Sequence, residues 1–88
     1  MKIRQGYITR KIKEKYVIVP VGDRLKSVAG IIELNESAAL LWDVLVNETT
    51  YDVLESTLEE RYSISNDVAH QAVESFLLSL KKYDILQE

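Results

Sequence analysis

Asn35 joins a strand-forming stretch, Gly30-Ile31-Ile32-Glu33-Leu34, to a helical run beginning Glu36-Ser37-Ala38-Ala39-Leu40-Leu41-Trp42, and this junction constrains the fold more than any other part of the chain. β-Branched residues suit the strand. Asparagine is a preferred N-cap, because its side-chain oxygen accepts a bond from an otherwise orphan helix N–H. Glu36 falls in the first turn, where the positive end of the helix dipole favours a carboxylate. Ala38, Leu41, Trp42 and Leu45 follow i, i+3, i+4, i+7 spacing and predict one buried helix face. A strand joined so tightly to a helix is held in place, and its free edge offers backbone groups to another chain. The function is expected at that edge.

A chain of 88 residues with 47% hydrophobic content predicts a single packed domain over residues 1–88. With no cysteine, disulfides, thiolate nucleophiles and cysteine metal sites are excluded. No apolar run approaches the roughly 18 residues that a membrane span requires. Residues 1–6 lack the apolar core of a signal peptide. A soluble, cytoplasmic protein without a cofactor is the expectation. Charge is unevenly distributed: residues 1–30 carry eight Lys/Arg against two acids, and residues 31–88 carry three against twelve, so +6 and −9 make up the net −3. The basic share, mainly Lys2, Arg4, Arg10, Lys11, Lys13 and Lys15, would attract an acidic peptide or nucleic acid; the alternative is a merely solvated hairpin face.

Tyr7 to Ile12 alternates, with Ile8 and Ile12 on one face and Tyr7, Thr9 and Lys11 on the other, as in a half-exposed strand. Lys13-Glu14-Lys15 reads as a turn. Tyr16 to Val21 is apolar on both faces and predicts the central strand, ending near Pro20, which cannot donate to a ladder. Gly22 to Ala29 is a polar loop into the third strand, Gly30–Leu34. Three helices come next. The first runs from about Glu36 to Val46; the second is capped by Thr49 or Thr50 and carries Tyr51, Leu54, Leu58 and Tyr62 on one side. The third is capped by Ser65 or Asn66 and carries Ala69, Ala72, Val73, Phe76, Leu77 and Leu80. Val68 and Leu78 widen its apolar arc, which implies a second neighbour for that helix. Trp42 and Tyr51 are expected in the core, and Tyr83 to Leu86 is expected to return to the sheet as a wing strand. The fold class is α+β: a three-stranded antiparallel sheet followed by three helices, winged helix-turn-helix-like.

Gly30-x-x-x-Leu34-Asn35-Glu36-Ser37-Ala38-Ala39-x-x-Trp42-x-x-Leu45 resembles the signature of the PqqD-like family. The likeness continues through Thr49-Thr50, Leu54, Leu58, Tyr62, Val68, Phe76, Leu77, Leu80 and Ile85-Leu86, and upstream through Val17-x-Val19-Pro20-Val21-Gly22. It covers nearly the whole chain. The resemblance implies a standalone recognition domain, a peptide chaperone that binds the leader of a ribosomally made precursor peptide as an added strand. It also implies delivery to a modifying enzyme, often a radical S-adenosylmethionine protein. Carried over, the peptide-binding residues are Gly30, Ile31, Ile32, Glu33 and Leu34 on the strand and Val68, Ala69, Ala72, Val73 and Phe76 on the third helix. Leu34 and Ile32 are expected to face inward, Ile31 and Glu33 outward.

Other chemistries find less support. His70 is the only histidine and shares a polar helix side with Asp67, Gln71 and Glu74, the pattern of a solvated surface rather than a metal site. Gly6, Gly22 and Gly30 are isolated and form no phosphate loop. The chain therefore reads as a non-enzyme. The alternative function is a winged helix-turn-helix DNA-binding protein, with the third helix as reader. Against it, that helix carries Lys81 and Lys82 only at its far end, whereas phosphate contact calls for cations near its start. A homodimer formed through the free strand edge is left open.

Overall fold

The computed structural model describes residues 1–22 and 32–88. Its elements are β1 (Lys2–Ile3), β2 (Tyr7–Ile12), β3 (Lys15–Pro20), β4 (Ile32–Leu34), α1 (Glu36–Leu45), α2 (Tyr51–Tyr62), α3 (Asn66–Lys82) and β5 (Leu86–Gln87). Strands β2, β3 and β4 form the antiparallel sheet with β3 in the centre. Gly30, Ile31 and most of the polar loop before them lie outside the described residues.

Register assigns the two faces of the sheet. Tyr7 pairs with Pro20 and Thr9 with Ile18, while Tyr16 pairs with Leu34 and Ile18 with Ile32. Tyr7, Ile18, Ile32 and Leu34 therefore share the face that meets the helices, because opposed residues in an antiparallel ladder project to the same side. Ile8 and Ile12 fall on the outer face, at 41% and 48% exposed. The connection from β2 to β3 leaves only Lys13 and Glu14 between the paired residues Ile12 and Lys15, and Lys13 takes φ 58° to turn the chain.

All three helices start on a side-chain cap. Asn35, Thr50 and Ser65 accept from the backbone N–H of Ala38, Val53 and Val68 respectively. Helix α2 stops at Ser63, which adopts φ 52° and whose N–H reaches the Glu59 carbonyl at 2.9 Å. The helices close over the inner sheet face around Leu41, Trp42, Leu45, Leu54, Leu58, Val73, Leu77 and Leu80. Trp42 is 3% exposed, as its place in the α1 stripe predicts.

Two expectations are corrected. The C-terminal segment does not join the three-stranded sheet: β5 pairs with β1 in a separate ladder, Ile3 opposite Leu86. The Ile85 N–H bonds the Leu80 carbonyl at 2.9 Å and its carbonyl accepts from Arg4 N–H at 2.8 Å, which turns the chain toward the N-terminal strand as soon as α3 ends. Tyr51, expected in the core, sits exposed at the first position of α2 with its ring 6.0 Å from His70. The inward stripe of α2 is carried by Leu54 and Leu58, whereas Tyr51 stands at the first position of the helix beside His70.

Truncating Trp42 to alanine should cost about 3–5 kcal/mol and leave the domain largely unfolded by circular dichroism. Lys13→Gly should act in the opposite direction. An L-residue at positive φ is strained by about 1–2 kcal/mol, which glycine relieves at the expense of greater unfolded-state freedom. A net gain of about 0.5–1 kcal/mol in urea denaturation is expected.

Candidate functional site

Strand β4 is three residues long, and among the described residues it pairs only with β3. Its other edge has no strand partner among the described residues. Leu34 is buried, and the next residue, Asn35, caps α1: its Oδ1 accepts the Ala38 N–H at 2.8 Å and the Ser37 hydroxyl at 3.0 Å. The strand is thus anchored at its last residue by both the core and a helix cap. Glu33 projects to the outer face, where Lys15 Nζ stands 3.5 Å from its carboxylate. The expected division of β4 into inward Ile32 and Leu34 and outward Glu33 matches this arrangement.

A trough of about 270 Å³ runs between β4 and α3. Ile32, Glu33 and Leu34 line one bank, and Ala72, Ser75, Phe76 and Ser79 the other. Ile18, Leu41 and Leu80 also line it, and Asn35, Ser37 and Ala38 border it at the start of α1. Beyond Asn35 a second, mostly apolar recess of about 400 Å³ is lined by Leu58, Tyr62, Ile64, Val68 and Ala72. Shared residues Asn35, Ser37 and Ala72 make the two continuous. Because Val68 lies at the Asn35 end and Ser79 at the far end, α3 runs antiparallel to β4 along the trough.

Of the residues singled out in the sequence, Ile32, Glu33, Leu34, Ala72 and Phe76 come together in the trough, and Val68, half exposed, in its extension. Gly30 and Ile31 lie outside the described residues. Ala69 and Val73 are not part of the lining: both are 0% exposed and belong to the hydrophobic core. The reason is helical phase. Residues 69, 73, 77 and 80 make the core stripe, and the stripe turned toward β4 is 68, 72, 75 and 79, offset by one residue, about 100°. Extending Val68 and Ala72 by heptad spacing would have found Ser75 and Ser79, which the search for apolar residues passed over. Their small side chains, with Ala72 and Ala38, are what keep the space open. On the opposite flank Leu78 is 58% exposed and does not enter the trough.

Behind the trough, α2 and α3 are joined by polar contacts. His70 Nδ1 lies 2.5 Å from Glu55 on α2 and Nε2 lies 3.2 Å from Glu74, one turn along α3. The bond to Glu55 holds the imidazole pKa above its ordinary value, and the charges of Glu55 and Glu74 act in the same direction against some desolvation.

Comparison with known proteins places this architecture. A family model for coenzyme PQQ synthesis protein D (PqqD) matches residues 9–86. The chain belongs to the PqqD family. No curated protein matches it. Among solved structures, this PqqD-family chain is similar to TbiB1 in complex with the TbiA(beta) leader peptide, with a TM-score of 0.79 over 99% of this chain and 95% of that one, at 17% sequence identity. That likeness establishes the fold, a three-stranded antiparallel sheet followed by three helices.

The raised His70 pKa has a definite consequence for stability. Protonation is favoured in the folded state, so the contribution is fully present below the unfolded value near 6.5 and fades as pH rises through the higher folded value. Thermal melts of the wild type should therefore lose stability across that window. His70→Gln should flatten that part of the profile.

Proposed function

We propose that this domain captures an extended leader peptide as an added strand on β4 and presents the attached precursor to a peptide-modifying enzyme. The observation that carries this reading is the β4 edge, free of a strand partner among the described residues, directly beside an apolar trough on α3. An exposed strand edge offers unpaired N–H and C=O groups, and an extended peptide satisfies them while its alternate side chains enter the adjoining groove. Membership of the PqqD family and the leader peptide held by the similarly folded TbiB1 both support a peptide ligand. A few added backbone bonds at about 1 kcal/mol net and one or two buried side chains at about 1.5–3 kcal/mol suit a micromolar to sub-micromolar Kd once ordering costs are met. The domain acts in the cytoplasm where the precursor is made, without catalysis of its own. The enzyme it serves is of the peptide-modifying class, a radical S-adenosylmethionine protein being the first to try.

Nucleic acid is the weaker reading. The first turns of α3 present Asp67, His70 and Gln71, with Glu74 beyond, while its basic residues Lys81 and Lys82 stand in the last turn. A helix that approached phosphates by its start would meet repulsion there.

A ¹⁵N-HSQC titration with the precursor peptide encoded nearest the gene should move the amides of residues 32–34 and of the 68, 72, 75 and 79 stripe. Ser75→Trp, which fills the trough from an exposed position, should weaken binding about tenfold or more with the fold retained. Ile32→Pro should weaken binding more than Glu33→Ala, because proline deletes a ladder donor whereas Glu33 contributes a side chain directed away from the trough. Unchanged affinity in both Ser75→Trp and Ile32→Pro would refute strand addition at β4.

A further inference from the structure

The apolar surface beside β4 does not end where the strand ends. Leu34 is the last strand residue, because Asn35 is committed to capping α1, and ladder bonding along β4 stops there. Past Asn35 the trough continues into the recess of about 400 Å³ that reaches Val68. We propose that this recess is a second leader subsite, which takes one apolar side chain from just beyond the strand-paired stretch, and that Tyr62 sets the size of side chain it accepts. The inference rests on the leader-capture reading and adds a specificity determinant to that same site.

Continuity argues for the leader as occupant. Asn35, Ser37 and Ala72 line both the trough and the recess. From Ala72 to Val68 is one turn of α3, about 6 Å, which an extended chain covers in about two residues. The lining argues for an apolar group. Leu58 is buried beneath the recess, and Val68 leaves 52% of its surface bare at the side. The polar groups at the rim are already engaged: Asn35 Oδ1 accepts from the Ala38 N–H and the Ser37 hydroxyl, and Glu36 holds the Arg61 guanidinium at 3.2 Å. A side chain entering here gains by filling apolar space rather than by hydrogen bonding.

Tyr62 is the end wall. With Glu36 it lines both this recess and a separate space of about 200 Å³ beside Thr9, Tyr16, Ala39 and Leu40. The Arg61 guanidinium carbon lies 5.2 Å from its ring centroid. Desolvation, with the Glu36 carboxylate adding to it, holds the phenol pKa above its ordinary value, so the group stays a neutral hydroxyl. Fastening α1 to α2 accounts for the Glu36–Arg61 pair. It does not account for a valine left half bare beside Ile64, in a first turn that otherwise carries Asn66 and Asp67.

The test measures, by calorimetry on the full chain, the affinity of the leader peptide encoded nearest the gene and of its alanine-scan variants. Wild type is compared with Val68→Glu, Tyr62→Ala and Tyr62→Trp. Glutamate at 68 stands three residues after the Ser65 cap, a capping box that favours the helix, so the fold is retained while the apolar wall is lost. One apolar leader position should cost about tenfold or more on truncation against wild type but no more than about twofold against Val68→Glu, the non-additivity of groups in contact. At that position the ratio of Kd for a leucine to Kd for a tryptophan should rise about fivefold or more in Tyr62→Ala and fall by a similar factor in Tyr62→Trp. A leader with no position coupled to Val68 overturns the inference. So does an unchanged ratio in Tyr62→Trp, which decides the matter even where Tyr62→Ala fails to fold. A dimer that Val68→Glu dissolves, with leader affinity unchanged, overturns it in favour of a second copy. Failure of the wild type to bind the leader at all would instead count against the leader-capture reading.

Discussion

The candidate site depends on the junction at Leu34 and Asn35. A three-residue strand is too short to hold its own position by ladder bonds alone, and β4 is fixed instead through its C-terminal end. Leu34 is sealed into the core, and Asn35 caps α1 with no loop residue in between. Because α1 is packed through Leu41, Trp42 and Leu45 onto the same core as α3, the open edge and the far bank of the trough are set by one rigid body. Moving the cap by one residue would shift the strand relative to α3 and reverse which of its side chains face the trough.

Much of this was legible in the sequence because local rules and packing agree there. The three N-caps, the central strand ended by proline, the inward α1 stripe and the order of sheet before helices all arise from periodicity and capping chemistry. The residues that went astray did so for identifiable reasons. Tyr51 continues the apolar period of α2 but opens the helix, one turn before the first buried residue, Leu54, and its ring lies beside His70. Ala69 and Val73 are apolar and close in sequence to the true lining residues, yet one step of helical phase puts them in the core. Ser75 and Ser79 were missed because a groove is made by what is absent: small polar side chains look like solvent exposure in a sequence and become a cavity wall only when an opposing strand is in place. The pairing of β5 with β1 depends on a contact between opposite ends of the chain, which no local pattern records.

The polar layer behind the trough has a different character. His70 on α3 ties to Glu55 on α2 and is flanked by Glu74 one turn along its own helix, with the imidazole and Glu74 half exposed to competing water. Their contribution is therefore conditional on protonation, whereas the shape of the trough is fixed by apolar packing and caps that do not titrate near neutrality. The site and the clasp are separable properties of the same pair of helices.

An open sheet has two ends, and a molecule with two adhesive ends can polymerise. Joining β4 of one copy to β2 of the next would be a head-to-tail contact that does not close on itself, the geometry of a fibre. The two edges differ in a way that opposes this outcome. β2 carries Arg10 and Lys11 and is followed by Lys13, which make it a poor template for a further strand, whereas the one acidic side chain of β4 is balanced by Lys15. Among the described residues the sheet is thus guarded at one end and unpaired at the other, so that a strand added as proposed at β4 would end the assembly after a single event.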